Sequence, residues 1–384
     1  MRLKEQLEIY FNLVDDVRNQ SYIKYKLSDI LFLLVCGMVC GCSDLEEIIV
    51  FAEEREDFFK SNSTLPEIPS LMTLTNILKR LNPERLELCL CGIFRNVLNQ
   101  SNNLKNKQIC IDGKTICSTA SMTEYDKPIH IITALLADSY ISLGQITVDD
   151  KSNEIPAVRE MIDLMDIKDC VLTMDAMHCQ KETAEKIRKN KGNYVLQLKK
   201  NQGSFYEDVY AMFEKKYMAE DSTDNEYEVY QTIEKSHGRI EHRICYVLTD
   251  TEYFTDYLVT WKDLKRIFAV KRIVEKNGKK SEEISCYLSS KAASAEELLS
   301  YTRKHWQIES FHWLLDVICN EDSCKVRNKN MQICLNILRK YAISIVKNYI
   351  ENHNVKRKAI SANMRKCMLN PEYLQEILFY YCRK

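Results

Sequence analysis

The spacing of hydrophobic residues divides the chain into a helical first part and a mixed α/β remainder. Up to about residue 100, apolar residues recur at the three- and four-residue intervals of amphipathic helices. We predict helix N-caps at Ser28 and Ser43, and a further helix that begins at Asn82-Pro83. Compact helices with short turns are compatible with a DNA-binding unit, a helical lid or an interaction domain.

From Gln108 onward, short runs of continuous or alternating apolar residues predict strands instead. Helical patterns over 154–165 and 180–189 separate the later strands from one another. Three strands in a meander, followed by helix, strand, helix and strand, is the order of a ribonuclease-H-like mixed α/β sheet. The predicted strands cover residues 109–112, 129–138, 141–148, 170–175 and 194–198.

The rest of the chain interrupts this sheet and then returns to helix. Residues 204–290 contain one helical run followed by alternating segments, which indicates a β-rich insertion. Ser294 is the predicted N-cap of a long helix, and a second amphipathic helix covers 331–350. The predicted domains are therefore a helical N-terminal domain (1–100), the first part of a catalytic domain (101–203), the β-rich insertion (204–290), and the rest of the catalytic domain with C-terminal helices (291–384).

The composition predicts a soluble protein, and the charged residues are unevenly distributed along the chain. The chain has 384 residues, 45% hydrophobic and 28% charged, and a net charge of −1; these values predict two or three domains of an ordinary soluble protein. Basic residues concentrate in 186–200, 262–280 and 325–366. Segregation of this kind suits a polyanion bound on one face, although solvated surface is the simpler interpretation.

The cysteines and the N-terminal residues bear on the cellular compartment. Sixteen cysteines occur without any Cys-x-x-Cys pair, which favours reduced thiols used as small buried hydrophobes. The first residues lack the apolar stretch of a signal peptide, and the apolar run 30–42 is too short to span a bilayer. We therefore expect a cytoplasmic protein without a membrane partner.

Four ionisable side chains lie on one stripe of the predicted helix over 303–317. His305, Glu309, His312 and Asp316 stand at i, i+4, i+7 and i+11, beside an apolar stripe that would anchor the helix. A solvated polar face is the simple explanation for such a stripe. Partly buried ionisable groups are otherwise tolerated when they share a metal or a phosphate.

Two aspartates at predicted strand ends change this interpretation. Asp112 ends the first strand before Gly113, and Asp175 ends the fourth. Individually, an Asx-turn for Asp112 and an N-cap for Asp175 are sufficient explanations. In the predicted strand order, however, both carboxylates lie at neighbouring strand ends, where they would repel each other unless a hard cation is bound. With Glu309 they would form a two-metal site for phosphoryl displacement, which predicts Mg²⁺ as cofactor and Mn²⁺ as its substitute.

Other metal sites and nucleotide chemistry have weaker support. Glu309-x-x-His312 and Glu234-x-x-His237 match half-motifs of di-iron bundles, but the second lies in a β-like segment. His178-Cys179 lacks a second zinc-ligand pair at the usual spacing. No phosphate-binding glycine-rich loop is present, and the chain has only nine glycines.

A series of motifs along nearly the whole chain resembles the DDE transposases of bacterial insertion sequences, in particular the group that includes the H-repeat-associated proteins. The helical N-terminal region looks like the domain associated with that family. The motifs are Ile111-Asp112-Gly113-Lys114, Lys151-Ser152-Asn153-Glu154-Ile155-Pro156-Ala157, Thr173-Met174-Asp175-Ala176-Met177-His178-Cys179-Gln180, Leu198-Lys199-Lys200-Asn201-Gln202, His237-Gly238-Arg239-Ile240-Glu241, His305-Trp306-Gln307-Ile308-Glu309, His312-Trp313-Leu314-Leu315-Asp316-Val317 and Glu321-Asp322.

The resemblance implies that Asp112, Asp175 and Glu309 are the catalytic, metal-binding triad. Broader relatives carry Tyr, Arg and Lys around the Glu, where this chain has Thr302, His305 and Asp316, so the phosphate contacts of that signature do not carry over. The family usually has an arginine shortly after Asp-Gly-Lys, and here Cys117 occupies that region.

The expected function is metal-dependent cleavage at element ends and strand transfer into target DNA. The expected partners are the terminal inverted repeats, the target DNA and a second copy of the chain in a synaptic homodimer, with the protein on the nucleoid when DNA-bound. A non-transposing nuclease and a DNA-binding remnant without catalysis are the alternatives. His305 and His312 are predicted to position the scissile phosphate, with a zinc site as their alternative, and Lys199, Lys200, Asn201 and Gln202 to contact the DNA backbone.

Overall fold

The structure is a computed structural model in which the chain forms two compact units. It describes residues 3–19, 21, 23–100, 104–119, 128–148, 153–218, 227–236 and 238–382. The first unit comprises Met1–Asn103, Gly113–Asn153 and Glu309–Lys384, and the second comprises Leu104–Asp112 and Glu154–Ile308.

Helices dominate the first unit and strands the second. The helices are α1 (Leu3–Phe11), α2 (Leu27–Val39), α3 (Leu45–Glu53), α4 (Glu56–Asn62), α5 (Leu71–Arg80), α6 (Pro83–Gln100), α7 (Glu154–Leu164), α8 (Lys181–Lys189), α9 (Ser204–Met218), α10 (Thr255–Thr260), α11 (Ala295–Val317), α12 (Lys329–Asn352), α13 (Ile360–Leu369) and α14 (Pro371–Cys382). The strands are β1 (Gln108–Thr115), β2 (His130–Leu136), β3 (Ile141–Val148), β4 (Val171–Met174), β5 (Asn193–Leu198), β6 (Tyr227–Ser236), β7 (Arg239–Leu248), β8 (Arg266–Lys276) and β9 (Lys279–Ser289).

The first unit is organised around α12, which is buried over most of its length. It packs against α2, α5, α6 and β3, so that the N-terminal helices and the C-terminal helices share one core. Strands β2 and β3 pair as an antiparallel hairpin from His130↔Val148 to Leu136↔Ile141.

Two predicted helix starts are displaced by one or two residues. α2 begins at Leu27, and Ser28 lies buried inside its first turn, so Ser28 is not the cap. α3 is capped by Asp44, which accepts from the Glu47 amide, while Glu47 Oε2 accepts from the Ser43 amide at 2.6 Å. The capping box is therefore present one residue later than predicted, because either neighbouring polar side chain could have supplied the oxygen.

The predicted starts at Asn82 and Ser294 are confirmed. The Asn82 side chain accepts from the Arg85 amide at 3.1 Å, and Pro83 is the first helical residue. Ser294 and Glu297 bond reciprocally through side chain and backbone before α11. Both satisfy backbone N–H groups that a helix start otherwise leaves without partners.

The second unit contains a mixed sheet in the order β1-β4-β5-β9-β8-β7-β6. Strands β1, β4 and β5 run parallel, and the remaining pairs are antiparallel. All four residues of β4 are buried, as predicted for a central strand. Strand β9 pairs with β5, so the strands of residues 204–290 continue the sheet. Its core includes Val171, Val195 and Phe268 packed with Leu298 of α11.

The described cysteines are free thiols, and most of them are buried. Burial raises the pKa of Cys245 and Cys286 to about 12, which keeps these thiols protonated and unreactive. None of the described helices is both long enough and apolar enough to cross a membrane.

Candidate active site

Asp112 and Asp175 lie where the pairing of two parallel strands ends. The register of β1 and β4 ends at Ile111↔Met174, and the next residues are Asp112, inside β1, and Asp175, directly after β4. The prediction that Asp112 ends its strand is wrong, because β1 continues through Gly113 to Thr115. Neighbouring strands lie about 4.8 Å apart. The Asp175 side chain is 57% exposed, and Asp112 is half-buried. Two carboxylates therefore follow the last paired residues of β1 and β4, and at least one of them is open to solvent.

The imidazole of His305 on α11 forms a hydrogen bond with the Asp175 carboxylate. Its Nε2 lies 3.4 Å from Asp175 Oδ1, and its Nδ1 lies 3.0 Å from Thr173 Oγ1. The imidazole is 15% exposed. Helix α11 thus reaches the end of β4 with a ring whose two nitrogens both have partners.

This contact shifts the pKa of both groups. Burial lowers the pKa of His305, but hydrogen bonds and charge interactions with Asp175 and Cys110 raise it more, to about 10. The hydrogen bond from His305 lowers the pKa of Asp175 despite partial burial, and the charge of Lys199 adds to this effect. Asp175 is therefore an ionised carboxylate at neutral pH, as a hard cation requires of its ligand.

Side chains from two other segments, the start of α7 and the segment after β5, bind the turn after Asp175. His178 Nε2 and Glu154 Oε1 lie 3.0 Å apart, and both side chains are almost fully buried. Asn201 Nδ2 donates to the Ala176 carbonyl at 2.9 Å, and Gln202 Nε2 donates to the Cys179 carbonyl at 2.7 Å. These contacts fix the backbone that carries Asp175.

The predicted DNA-contacting residues after β5 therefore divide into two pairs. The amides of Asn201 and Gln202 bind the turn backbone, while Lys199 and Lys200 are exposed cations. The zinc alternative for His178 is not supported, because its Nε2 pairs with Glu154.

Glu309 lies on α11, one turn beyond His305, and its side chain is exposed. Across the described ranges, no three His, Cys, Asp or Glu side chains are grouped closely enough to hold a metal ion. The donor types nevertheless suit Mg²⁺, since Asp112 and Asp175 supply carboxylate oxygens and Asp175 is ionised.

His312 and Asp316 have partners or surroundings unlike those of His305. Burial, together with the charges of Lys340 and Lys114, lowers the pKa of His312 to about 3, so this ring is neutral at physiological pH. Asp316 Oδ1 accepts from Lys114 Nζ at 2.5 Å. The stripe predicted on this helix thus consists of side chains in different environments.

The di-iron alternative included Glu234 and His237. Glu234 pairs with Arg303 at 2.6 Å, and His237 lies outside the described residues.

Several residues around Asp175 were not identified from the sequence. Gln108 Nε2 donates to Thr173 Oγ1 at 2.9 Å and to the Tyr301 carbonyl at 2.8 Å, which links β1, β4 and α11. One signal was available, because Gln108 and Thr173 are polar residues within otherwise apolar strands. The pairing of Glu154 with His178 had no comparable local signal.

The chain matches two protein-family models and is similar to a solved structure. A model described as a transposase DDE domain matches residues 105–345, and the model of its associated domain matches 9–92. Among solved structures, the piggyBac transposase synaptic complex with hairpin DNA aligns with a TM-score of 0.47 at 10% identity, covering 98% of this chain and 81% of that chain.

Curated relatives match over almost the entire chain. The H repeat-associated putative transposase YhhI of Escherichia coli (strain K12) is 33% identical over 385 residues, with 98% of each chain covered. The putative transposase YncI of Escherichia coli O157:H7 is 34% identical over 376 residues, covering 96% of this chain and 93% of the relative. The chain therefore belongs to the DDE transposases of bacterial insertion sequences, in the family that includes the H-repeat-associated proteins.

Proposed function

We propose that this chain cuts DNA at the ends of an insertion sequence and joins the freed ends to target DNA. The observation that carries the proposal is the register of β1 and β4, because Asp112 and Asp175 directly follow the last paired residues of these two parallel strands. The helix that contacts Asp175 through His305 also carries Glu309 one turn later.

We also infer a ribonuclease-H-like core. It is supported by the antiparallel β2–β3 hairpin of the first unit and by the parallel strands β1, β4 and β5, in that order, of the second. Both parts are those expected from the sequence for a ribonuclease-H-like domain. The interruption of the fold by residues 204–290 is part of the same proposal.

Asp112, Asp175 and Glu309 would hold Mg²⁺ or Mn²⁺. When bound, two such cations activate an attacking oxygen and stabilise a leaving oxygen in an in-line displacement. In the first step, a water oxygen attacks the phosphodiester at the element's end, and the 3′ oxygen leaves as a hydroxyl. In the second step, that hydroxyl attacks a target phosphodiester and displaces the target's own 3′ oxygen.

The DNA partner is supported by a basic face on β7, β8 and β9. We define the basic face as Arg239, Arg243, Arg272, Lys276 and Lys279. Cross-strand register places Arg239, Lys276 and Lys279 in one row and Arg243 beside Arg272 in another, with even spacing along each strand. Residues at even spacing share one face of a sheet. Glu241 on the same face pairs with Arg239, Arg243 and Arg272, so the positive charge offered to a phosphate backbone is mainly that of Lys276 and Lys279.

Lys199 and Lys200 would contact the same DNA close to Asp175, since both are exposed and Lys199 already influences the Asp175 pKa. Phosphate positioning by His305 and His312 was the expectation from the helix stripe. Because its ring is neutral, His312 could contact a phosphate only by hydrogen bonding, since an uncharged ring cannot neutralise a phosphate.

Since an element has two ends, we infer that two copies of the chain act together as a homodimer. We place this homodimer in the cytoplasm and, when DNA is bound, on the nucleoid.

The test uses purified full-length protein, Mg²⁺ or Mn²⁺, and DNA that carries the repeats flanking its own gene. We expect new 3′-hydroxyl ends, joined target products, and loss of both when the metal is chelated. Cleavage without joined products would identify a non-transposing nuclease. Binding of the repeats without any nicking would identify a DNA-binding protein that has lost catalysis.

A further inference from the structure

We propose that His305 is a positioning residue for Asp175, set in place by a hydrogen-bond chain that starts at Gln108. The imidazole N–H holds Oδ1 of Asp175 and leaves Oδ2 for a cation. The inference rests on the proposed function, because it assigns Asp175 as a cation ligand. It gives His305 a role different from direct contact with the scissile phosphate.

The direction of the chain follows from counting hydrogens. Gln108 Nε2 carries two, one directed to the Tyr301 carbonyl and one to Thr173 Oγ1. In a doubly protonated ring, Nδ1–H donates to Thr173 Oγ1 at 3.0 Å, and that oxygen also accepts from Gln108 Nε2. In a neutral ring, the Thr173 hydroxyl instead donates to Nδ1, which leaves the ring hydrogen on Nε2. In both states Nε2 carries a hydrogen that faces Asp175, so this contact does not depend on the charge state.

The chain is rigid because its members are buried on regular secondary structure. Gln108 is 4% exposed on β1 and Thr173 is 2% exposed on β4. The first turns of α11 are tied to β1 through the Tyr301 and Lys304 carbonyls, which accept from Gln108 and Cys110. The ring therefore has a defined position before any cation or DNA binds.

Hydrogen bonds to ligand carboxylates commonly tune metal sites, and loss of such a partner typically costs about 10- to 100-fold in metal affinity or activity. A phosphate contact by His305 would require Nε2 to leave Asp175, since Nδ1 is already bound to Thr173. The two roles thus predict different losses: cation affinity for positioning, and DNA affinity for phosphate contact.

The experiment measures Mn²⁺ binding to the full-length protein by electron paramagnetic resonance, with metal-free DNA binding and cleavage against Mn²⁺ concentration as further readouts. His305→Leu should weaken Mn²⁺ binding about 10- to 100-fold, with DNA affinity unchanged and kcat largely recovered at high Mn²⁺. His305→Gln, whose amide N–H can replace Nε2–H, should retain most of the Mn²⁺ affinity. His242→Leu, on β7 and bonded to Gln231, is the matched control and should behave as wild type.

Thr173 provides an independent pair of variants if His305→Leu fails to fold. Thr173→Val removes the hydroxyl at almost constant volume and should weaken Mn²⁺ binding, whereas Thr173→Ser should preserve it. Unchanged Mn²⁺ affinity in both His305→Leu and Thr173→Val would overturn the inference, as would a loss confined to metal-free DNA binding. Failure of the proposed function is distinguishable from failure of this inference by the variant Asp175→Asn. If Asp175 is not a cation ligand, this variant would bind Mn²⁺ as tightly as the wild type and would cleave DNA at the wild-type rate.

Discussion

The Lys114 side chain is 11% exposed and lies between carboxylates of the first unit. Its Nζ lies 2.5 Å from Asp316 Oδ1 and 2.6 Å from Glu321 Oε2, and the Glu321 side chain is fully buried. Burial alone would lower the pKa of Lys114, but Glu321 and Asp316 raise it overall. Burial would raise the pKa of Glu321, but Lys114 and Arg339 lower it overall. The group is charged, and each charge depends on its partners.

Lys114→Met should destabilise the protein by about 3 kcal/mol, within the range for breaking a buried ion pair by removing one partner. The reason is that Glu321 stays buried with less compensation. Urea unfolding followed by circular dichroism measures the loss. The double variant Lys114→Met/Glu321→Gln should recover much of it, and an effect below about 0.5 kcal/mol for the single change, as for an ordinary surface substitution, would contradict this account.

The same group predicts a pH dependence of stability. The folded-state pKa of Glu321 is lowered, so its contribution is present above the unfolded value of about 4.3 and is lost as pH falls through the lower folded pKa. The folded-state pKa of Lys114 is raised, so its contribution is present below about 10.4 and is lost as pH rises through the higher folded pKa. The stability difference between wild type and Glu321→Gln should be constant near neutral pH and shrink in acid. A difference that grows in acid would have the wrong sign.

At the scale of elements, the segment after β5 acts as a clamp on the turn after β4. Asn201 and Gln202 bind carbonyls of that turn, whereas Lys199 and Lys200 remain exposed. One short segment thus combines support for Asp175 with positive charge for DNA. A hydrogen bond of this kind contributes about 1 kcal/mol.

The clamp and the cations can be separated by paired variants. Asn201→Ala/Gln202→Ala should lower cleavage about 10-fold, equivalent to one or two lost hydrogen bonds, with DNA affinity nearly unchanged. Lys199→Gln/Lys200→Gln should instead weaken DNA binding and reduce its salt dependence. Fluorescence anisotropy with labelled end DNA, alongside cleavage rates, measures both. A large affinity loss in the Asn201/Gln202 variant would show that these amides bind DNA.

The basic face has its own signature in salt titrations. Replacing Lys276 and Lys279 by Gln should reduce the slope of log affinity against log salt by about 0.9 per contacted phosphate. Lys60→Gln/Lys347→Gln is the matched control, because each of these lysines is already paired with a glutamate four residues away. Equal slopes for the two double variants would mean that the basic face is solvated surface.

For the whole molecule, the proposed catalysis depends on carboxylates contributed by distant parts of the chain. Asp112→Asn or Asp175→Asn should lower metal-dependent cleavage by several orders of magnitude, because each removes a charge that balances a divalent cation. Folding should be intact or slightly more stable, since two neighbouring carboxylates repel each other. Cleavage assays and thermal unfolding check the two statements. Near wild-type cleavage by either variant would contradict the assignment.

Sequence alone was sufficient for features that depend on near neighbours. Buried β4, the position of Asp175 directly after it, and the caps at Asn82 and Ser294 follow from periodicity and from contacts within a few residues, whereas β1 continues past Asp112 to Thr115. The displaced starts of α2 and α3 show the limit of this reasoning, because adjacent polar residues compete for one capping position.

Only the tertiary structure decided which side chains meet around Asp175. The bond between His305 and Thr173 spans 132 residues and that between Gln108 and Tyr301 spans 193, and no local pattern encodes such partners. The helix stripe likewise predicted one environment for His305 and His312, whereas packing made the first a partner of Asp175 and the second a buried neutral ring. Periodicity determines which face of an element is buried, but the partner of a polar group, and with it the pKa, depends on which distant element packs against that face.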